Sequence, residues 1–332
     1  MKLNRILTAT GLALSGMVGL AGTNQVLAQG AAAGNYPNKP IRWIIPYAPG
    51  GGTDVIARPI ALKMAEVLGQ QIVYDNRGGG NGLIAAEFVA RSAPDGYTLL
   101  VPAGNTHVFS TLLYGKINFD PVKDFAVITN FASIPNVMVS HPSFPPKTIA
   151  EVVAYGKANP GKINFASSGN GAGGHLGLIQ FADLAGMKVT HVPFKGAGPA
   201  TTAMLGGDTD LLLANTGVFL THIKSGKLRV LGVAWNKRLG ALPDVPTFAE
   251  AGYPVESASF YGLAAPAGTP PAIVNKLYQE AAKIVHSPES AKRLEGDGAF
   301  PVGNTPQQFA EYLKVETAKW GKIIRDNNIK AD

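Results

Sequence analysis

The sequence predicts an α/β fold of two Rossmann-like lobes around a ligand cleft. Three observations support this prediction. Apolar strand-like runs alternate with helix-like runs, glycine-rich turns connect them, and the alternation begins a second time after a crossover segment. The 332 residues are enough for two domains with full cores. Open parallel sheets bind ligands at the carboxyl ends of their strands, so the turns there are the candidate site.

The first round of the pattern contains three strands and two helices. They are predicted, in chain order, at 41–46, 55–68, 71–76, 83–92 and 98–102. Thr53 or Asp54 can cap the first helix, and Pro59 marks either a late start or a kink in it. The spacing of these units predicts a parallel sheet.

The second round follows a crossover made of two strand-like pieces, at 125–131 and 136–140. Its helices are predicted at 148–158 and 176–185, and its strands at 162–166, 189–194, 211–213 and 228–233. The chain then returns through a strand at 260–265 and ends in helices at 270–286 and 306–327.

The first 28 residues have the pattern of a signal peptide. Lys2 and Arg5 precede an apolar stretch at 6–21, and 26–28 offers small residues for cleavage. We therefore expect a soluble chain that is exported to the periplasm and begins near Gln29. The stretch is too short and too rich in glycine to be a good membrane span.

Composition excludes several classes of function. The chain has no cysteine, which excludes thiol catalysis, cysteine-ligated metals and a lipid anchor on cysteine. The net charge of +7 is spread along the chain without a basic run, so a nucleic-acid partner is not expected. The six histidines show no metal-binding spacing, and no cofactor or metal is predicted. A mildly basic chain suits small anionic ligands.

The turn from Ser167 to His175 allows two interpretations. Its glycines match G-x-G-x-x-G, the pattern of a dinucleotide cradle, but the acidic residue expected about 20 positions later is missing at Phe194. The alternative is a carboxylate seat, in which backbone amides at a helix start, those of Gly169 and Gly171, bind the anion and Ser167 and Ser168 add hydroxyl donors. His175 contacts the ligand or braces the turn.

Other turns that follow strands complete the predicted site. Each of these residues can equally be an ordinary cap or turn residue, but their common position after strands favours a role in the cleft. The predicted ligand-binding residues are Tyr47, Pro49, Gly51, Thr53, Asp54, Asn81, Gly82, Asn105, Thr106, Ser167, Ser168, Gly169, His175, Phe194, Asn215 and Thr216.

Several stretches together resemble one known family. They are W-I-I-P-Y-A-P-G-G with an aspartate at 43–54, D-N-R at 75–77, P-D-G-Y-T-L-L at 94–100, H-V-P-F-K-G at 191–196, L-P-D-V-P-T at 242–247 and A-P-A-G-T-P at 265–270. The chain is similar to the Bug (TctC-like) periplasmic solute-binding proteins of tripartite tricarboxylate transporters. The resemblance extends over about 36–329, nearly all of the predicted mature chain.

This resemblance implies a type II periplasmic binding protein. One lobe would hold 29–132 and 255–332, and the other 133–254. A small organic carboxylate, such as a dicarboxylate or a terephthalate-like aromatic acid, would be held between the lobes by amides, hydroxyls and waters. The protein, expected to be a monomer, would deliver it to membrane permease subunits.

The chain also departs from the family pattern. Ile179, Ala203 and Ala214 stand where acidic residues are usual, and Phe260 stands where a tryptophan is usual. An amino acid carries an ammonium group that needs a carboxylate partner. The loss of acids therefore favours a purely anionic ligand, provided that these positions face the cleft.

Two other classes of function remain open from the residues. The chain can be a ligand-sensing module for a signalling partner, or an enzyme that uses a dinucleotide or a nucleophilic Ser167 or Ser168. The sequence has no G-x-S-x-G, no H-E-x-x-H and no P-loop lysine motif. We find no catalytic constellation, and we expect a protein that is not an enzyme.

Overall fold

The computed structural model describes residues 34–47, 49 and 52–330. The predicted signal peptide, 1–28, and the predicted site residue Gly51 lie outside the described residues. Among the helices of the described part, none is both long and apolar enough to cross a membrane.

The described chain alternates between strands and helices. The strands are β1 Ile41–Ile45, β2 Ile72–Asn76, β3 Thr98–Leu100, β4 Phe125–Ser140, β5 Asn164–Ser167, β6 Thr190–Pro193, β7 Leu211–Asn215, β8 Arg229–Ala234, β9 Ala258–Pro266 and β10 Phe300–Pro301. The α-helices are α1 Gly52–Leu68, α2 Leu83–Ala90, α3 Ser110–Leu113, α4 Ile149–Ala158, α5 Gly173–Ala185, α6 Ala197–Gly206, α7 Thr216–Lys224, α8 Pro271–Val285, α9 Pro288–Gly296 and α10 Pro306–Asp326. A π-helical turn, Asn105–Phe109, precedes α3.

Most predicted elements are confirmed within a few residues, and the differences have physical causes. The crossover pieces form one continuous strand, β4, which runs through Pro135. Helices α3, α6, α7 and α9 and strand β10 were not predicted. Helix α6 contains glycine, proline and two threonines, so its propensity is weak, and buried Ala200 and Met204 secure it against the core.

Pro59 lies inside α1 and does not mark a late start. Proline has no N–H, so the carbonyl of Val55, one turn earlier, loses its helical donor. The guanidinium of Arg293, on α9, donates to this carbonyl at 2.8 Å. A side chain from the C-terminal part of the chain thus replaces the missing helical bond.

The strands form a mixed sheet in the order β2-β1-β3-β9-β4-β7-β5-β6, and β8 and β10 also pair with β4. Strand β1 is parallel to β2 and β3, and β5 is parallel to β6 and β7. All pairings of β4 are antiparallel. The prediction of a parallel sheet is therefore right for the two outer groups of strands and wrong for the centre.

Strand β4 joins two halves of the sheet. Its residues up to Pro135 pair with β9, and its residues from Asn136 onward pair with β7 and β8. We call β1, β2, β3 and β9 the first half, and β5, β6, β7 and β8 the second half. The change of partner lies three residues after the predicted lobe boundary at 132/133. The lobe ranges themselves stay a prediction.

Separate apolar clusters stabilise each half. In the first half, Trp43 stacks on Phe131 with ring centroids 5.6 Å apart. In the second half, the ring of Phe181 lies 4.9 Å from that of Phe248. A further cluster joins α10 to Leu176 of α5, so the C-terminal helix contacts both halves.

Close packing explains the last glycine of the G-x-G-x-x-G pattern. A Cβ atom on Gly174 would overlap the backbone carbonyl of Leu213 on β7. Backbone cannot yield as a flexible side chain can, so only glycine allows α5 to begin this close to β7.

We expect Gly174→Ala to lower the free energy of unfolding by about 3 kcal/mol or more, because the overlap forces α5 away from β7. Urea unfolding of the purified protein measures this change. Gly198→Ala on α6 is the matched control, because a Cβ atom there meets nothing within 4 Å. Its effect should stay below about 1 kcal/mol. Equal effects of the two substitutions would contradict the packing argument.

Candidate functional site

Two adjoining cavities lie where the turns after the strands of both halves meet. The smaller has a volume of about 350 Å³ and the larger about 620 Å³. Both are lined by Asn81, Asn105, Phe109, Ser168, Ala172 and Gly196, so they form one continuous cleft. This position at the carboxyl ends of parallel strands is the predicted one.

A polar network of neutral groups lines the larger cavity. The hydroxyl of Tyr261 faces the polar side chains of Ser259, Asn215 and Thr53. The Ser259 hydroxyl also donates to Asn215 Oδ1 at 2.9 Å. Thr53 belongs to the first half and Asn215 to the second, so this network connects the two walls of the cleft.

The two tyrosines of this wall are neutral phenols at physiological pH. Burial raises the pKa of Tyr47 and of Tyr261 above the ordinary value of 10.0. The Tyr47 hydroxyl faces the side chain of Asn105. Neutral phenols and amides can donate hydrogen bonds to a carboxylate without carrying a charge themselves.

The structure brings a majority of the predicted site residues together. Those that line the cleft are Tyr47, Pro49, Thr53, Asn81, Asn105, Ser168, Gly169, Phe194 and Asn215. Asn81 is among the few described residues other than glycine with a positive φ, 52°, and its amide donates to the Tyr114 hydroxyl. The remaining described members of the predicted set lie behind the walls.

Three of these remaining residues stabilise turns of the first half. The carboxylate of Asp54 forms an ion pair with Arg58 at 2.7 Å on α1. Thr106 is fully buried, and its hydroxyl lies 2.9 Å from both backbone polar atoms of Ala103. Gly82 is buried against Thr106, and a Cβ atom there would lie 2.6 Å from the threonine methyl group. They shape the wall without lining it.

The other three stabilise turns of the second half. The Ser167 hydroxyl is fully buried and lies 2.6 Å from His191 Nε2. The amide of Gly171 donates to His175 Nδ1 at 3.0 Å, and the His175 and His191 rings are stacked with centroids 3.8 Å apart. His175 thus braces the turn in this structure and is not among the residues that line the cleft.

The third of them, Thr216, is also fully buried. Its hydroxyl donates to the carbonyl of Pro135 at 2.7 Å. This bond fastens the start of α7 to β4 at the position where β4 changes partner. Neither Thr216 nor Ser167 is among the residues that line the cleft.

Sequence reasoning missed several lining residues. Asn136 and Ser259 are polar residues in otherwise apolar strands, and that contrast was the available signal. Tyr261 lies inside β9, and its position gives no local hint of a site. Phe109 and Lys195 looked like ordinary core and turn residues.

The Nδ2 of Asn136 donates to the Ser257 hydroxyl at 2.7 Å, where the chain returns to the first half.

The described lining of the cleft contains no acidic side chain. Of the lining residues that the structure describes, none is Asp or Glu, and Lys195 is the charged one. His107, behind the wall, adds no charge, because burial lowers its pKa to about 3. Taken over the described residues, no cluster of three or more His, Asp or Glu side chains is suited to a metal ion.

Helix N-termini add positive potential to this cleft. Gly52 and Thr53 begin α1, Gly173 begins α5 and Ala197 begins α6, and all of them line the larger cavity. The N-caps of α5 and α6, Ala172 and Gly196, make no side-chain cap hydrogen bond. First-turn amides have no partner within the helix, and the helix dipole is positive at this end. The arrangement can bind anions.

Of the three positions where acids are usual in the resembling family, one faces the cleft. Ala214 lines the larger cavity. Ile179 packs against the core of the second half, and Ala203 is buried on α6. The argument against an ammonium-bearing ligand therefore depends on Ala214 and on the acid-free walls.

Comparison with known proteins identifies relatives over nearly the whole chain. The family model described as "Tripartite tricarboxylate transporter family receptor" matches residues 56–329. Protein BugT of Bordetella pertussis is 33% identical to this chain over 332 residues. The alignment covers 99% of this chain and 99% of BugT.

Solved structures agree with this match. Rpa4515 of R. palustris, described with adipate, is 33% identical with a TM-score of 0.81, over 90% of this chain and 100% of that chain. MatC of Rhodopseudomonas palustris, described with bound malate, is 32% identical with a TM-score of 0.75. The match covers 87% of this chain and 100% of that chain. The fold of two α/β lobes around a ligand cleft, as in type II periplasmic binding proteins, is thereby confirmed.

We expect His175→Phe to leave the ring stack in place but to remove the acceptor for the Gly171 amide. An unpaired buried donor costs about 1–3 kcal/mol, so the free energy of unfolding should fall by that amount. Urea unfolding measures it. His222→Phe, in the last turn of α7, where the side chain is half-buried, is the control and should have little effect. Unchanged stability in His175→Phe would show that this bond does not brace the turn.

Proposed function

Because the chain belongs to the tripartite tricarboxylate transporter receptor family, we propose that it binds a small organic carboxylate in the periplasm and delivers it to a membrane permease. The family is a class of solute-binding receptors and not of enzymes. The observation that carries the proposal is the cleft itself, which combines several helix N-termini with a lysine and has no acidic residue among its described lining.

Hydrogen-bond donors from both halves would bind the ligand. Thr53 and Tyr47 contribute from the first half, and Ser168 and Asn215 from the second. A carboxylate that accepts bonds from both walls would favour the closed arrangement, because only that arrangement makes all of the bonds at once. Two relatives whose structures are described with adipate and with malate support a dicarboxylate as the ligand class, with an aromatic acid as the alternative.

The change of partner in β4 offers a physical basis for such closure. The two halves are connected there by Pro135–Asn136 and by the return segment at Ser257. We propose these crossings as the hinge between a first lobe of 29–132 and 255–332 and a second lobe of 133–254. Export by the N-terminal signal, 1–28, would place the monomeric protein in the periplasm.

Calorimetric titration of the purified mature protein with a panel of mono-, di- and aromatic carboxylates tests the proposal. We expect at least one diacid or aromatic acid to bind with a Kd in the micromolar range or below, about −8 kcal/mol or stronger. Sugars and amino acids serve as controls. Binding of those controls, with none of the acids, would refute the proposed function.

We expect Ala214→Asp to weaken binding of the best acid about tenfold or more, because a new carboxylate in the wall repels the anion. Ala214→Asn is the matched control, since it has the same size without the charge. Its affinity should remain within a few-fold of the wild-type value. If both variants lose affinity equally, the size of the side chain at this position, and not its charge, determines the affinity for the acid.

A further inference from the structure

The smaller cavity combines one cation with an apolar wall. Lys195 lines it together with Phe194, and Phe109 and Leu113 line the opposite side from the first half. Lys195 is exposed, so its ammonium group needs no rearrangement of the core to reach a ligand. The larger cavity, by contrast, has a wall of neutral donors.

The apolar wall between these two environments is fixed in place. The Phe109 ring packs edge-on against Trp320, with centroids 5.7 Å apart. Leu113 fits so closely against Gly171 that a Cβ atom on the glycine would overlap the leucine side chain. The glycine has a positive φ of 69°, which also favours the absence of a side chain. The wall therefore presents a constant apolar surface.

We infer that Lys195 binds the second acidic group of a diacid whose first acidic group lies among the neutral donors of the larger cavity. This inference rests on the proposed function. The apolar segment of the ligand would lie along Phe109 and Leu113, where it loses contact with water. Lys195 is thus the residue that distinguishes a diacid from a monoacid of the same length.

The position of Lys195 in the chain suits this role. Gly196, directly after it, has a φ of 110° and turns the chain from β6 into α6. Lys195 therefore directly precedes the N-cap of α6, and Lys195, Gly196 and Ala197 all line the cleft. A solvated lysine without this role would be indifferent to the second acid of the ligand, which makes the two possibilities separable.

The test compares Lys195→Met with the wild-type protein. Calorimetric titration uses linear α,ω-diacids from succinate to suberate and the monomethyl ester of each, which keeps the length and removes one charge. We expect the wild-type protein to prefer the best diacid over its ester about tenfold, as for a charge-assisted hydrogen bond. Lys195→Met should lose this preference, because its affinity for the diacid falls about tenfold more than its affinity for the ester.

Lys162→Met is the matched control. Lys162 is also exposed in the second half, but it precedes β5 and lies at the end of the strand away from the cleft. It should keep the wild-type preference.

Three outcomes would overturn the inference. Lys195→Met could weaken diacid and ester equally, it could leave the preference intact, or the wild-type protein could bind both without preference. In each case the protein still binds carboxylates and the proposed function stands. If the wild-type protein binds no acid of the series or of the wider carboxylate panel, the proposed function fails together with the inference.

Discussion

The site depends on the antiparallel pairing of β4 with strands of both halves. Because β4 pairs with β9 along its first part and with β7 and β8 along its second part, the parallel strands of the two halves run toward this change of partner from opposite directions, and the carboxyl edge of each half faces that of the other. The turns that follow β1, β5, β6 and β7 are consequently brought together there. A β-loop-α unit always presents the start of its helix at that edge, so the topology alone directs helix N-termini into the cleft.

The electrostatics of the cleft follow from this topology. Backbone amides and helix dipoles are present whatever the side chains are, so the fold provides an anion-binding tendency in advance. Side chains then adjust it. Ala214 leaves the wall without an acid, Lys195 adds a charge at one end, and the buried neutral phenols of Tyr47 and Tyr261 add donors at the other.

The fold was predictable from the sequence because its signals are local. Part of the set of residues that line the cleft was not predictable in this way. Apolar runs and glycine turns are enough to indicate β1 to β3 or α5. The positions of Ser167, Thr216 and His175 looked like site positions, because they follow strands just as the lining residues do. Which residue of a turn faces the cleft depends on contacts far along the chain, such as Thr216 with Pro135 or Ser167 with His191. Tyr261 enters the cleft from inside a strand, where no local pattern distinguishes it from core.

The residues behind the wall and the residues on it have different tasks. Stacked His175 and His191, and the bond from Gly171, hold the turn after β5 in one conformation, so its backbone amides are ordered before a ligand arrives. Preordered donors lose little entropy on binding, which favours affinity. Backbone donors, however, distinguish poorly between acids, because every carboxylate accepts the same bonds. Selectivity must then come from the few side chains that differ in charge or shape, and Ala214 and Lys195 are the positions where this chain has that freedom.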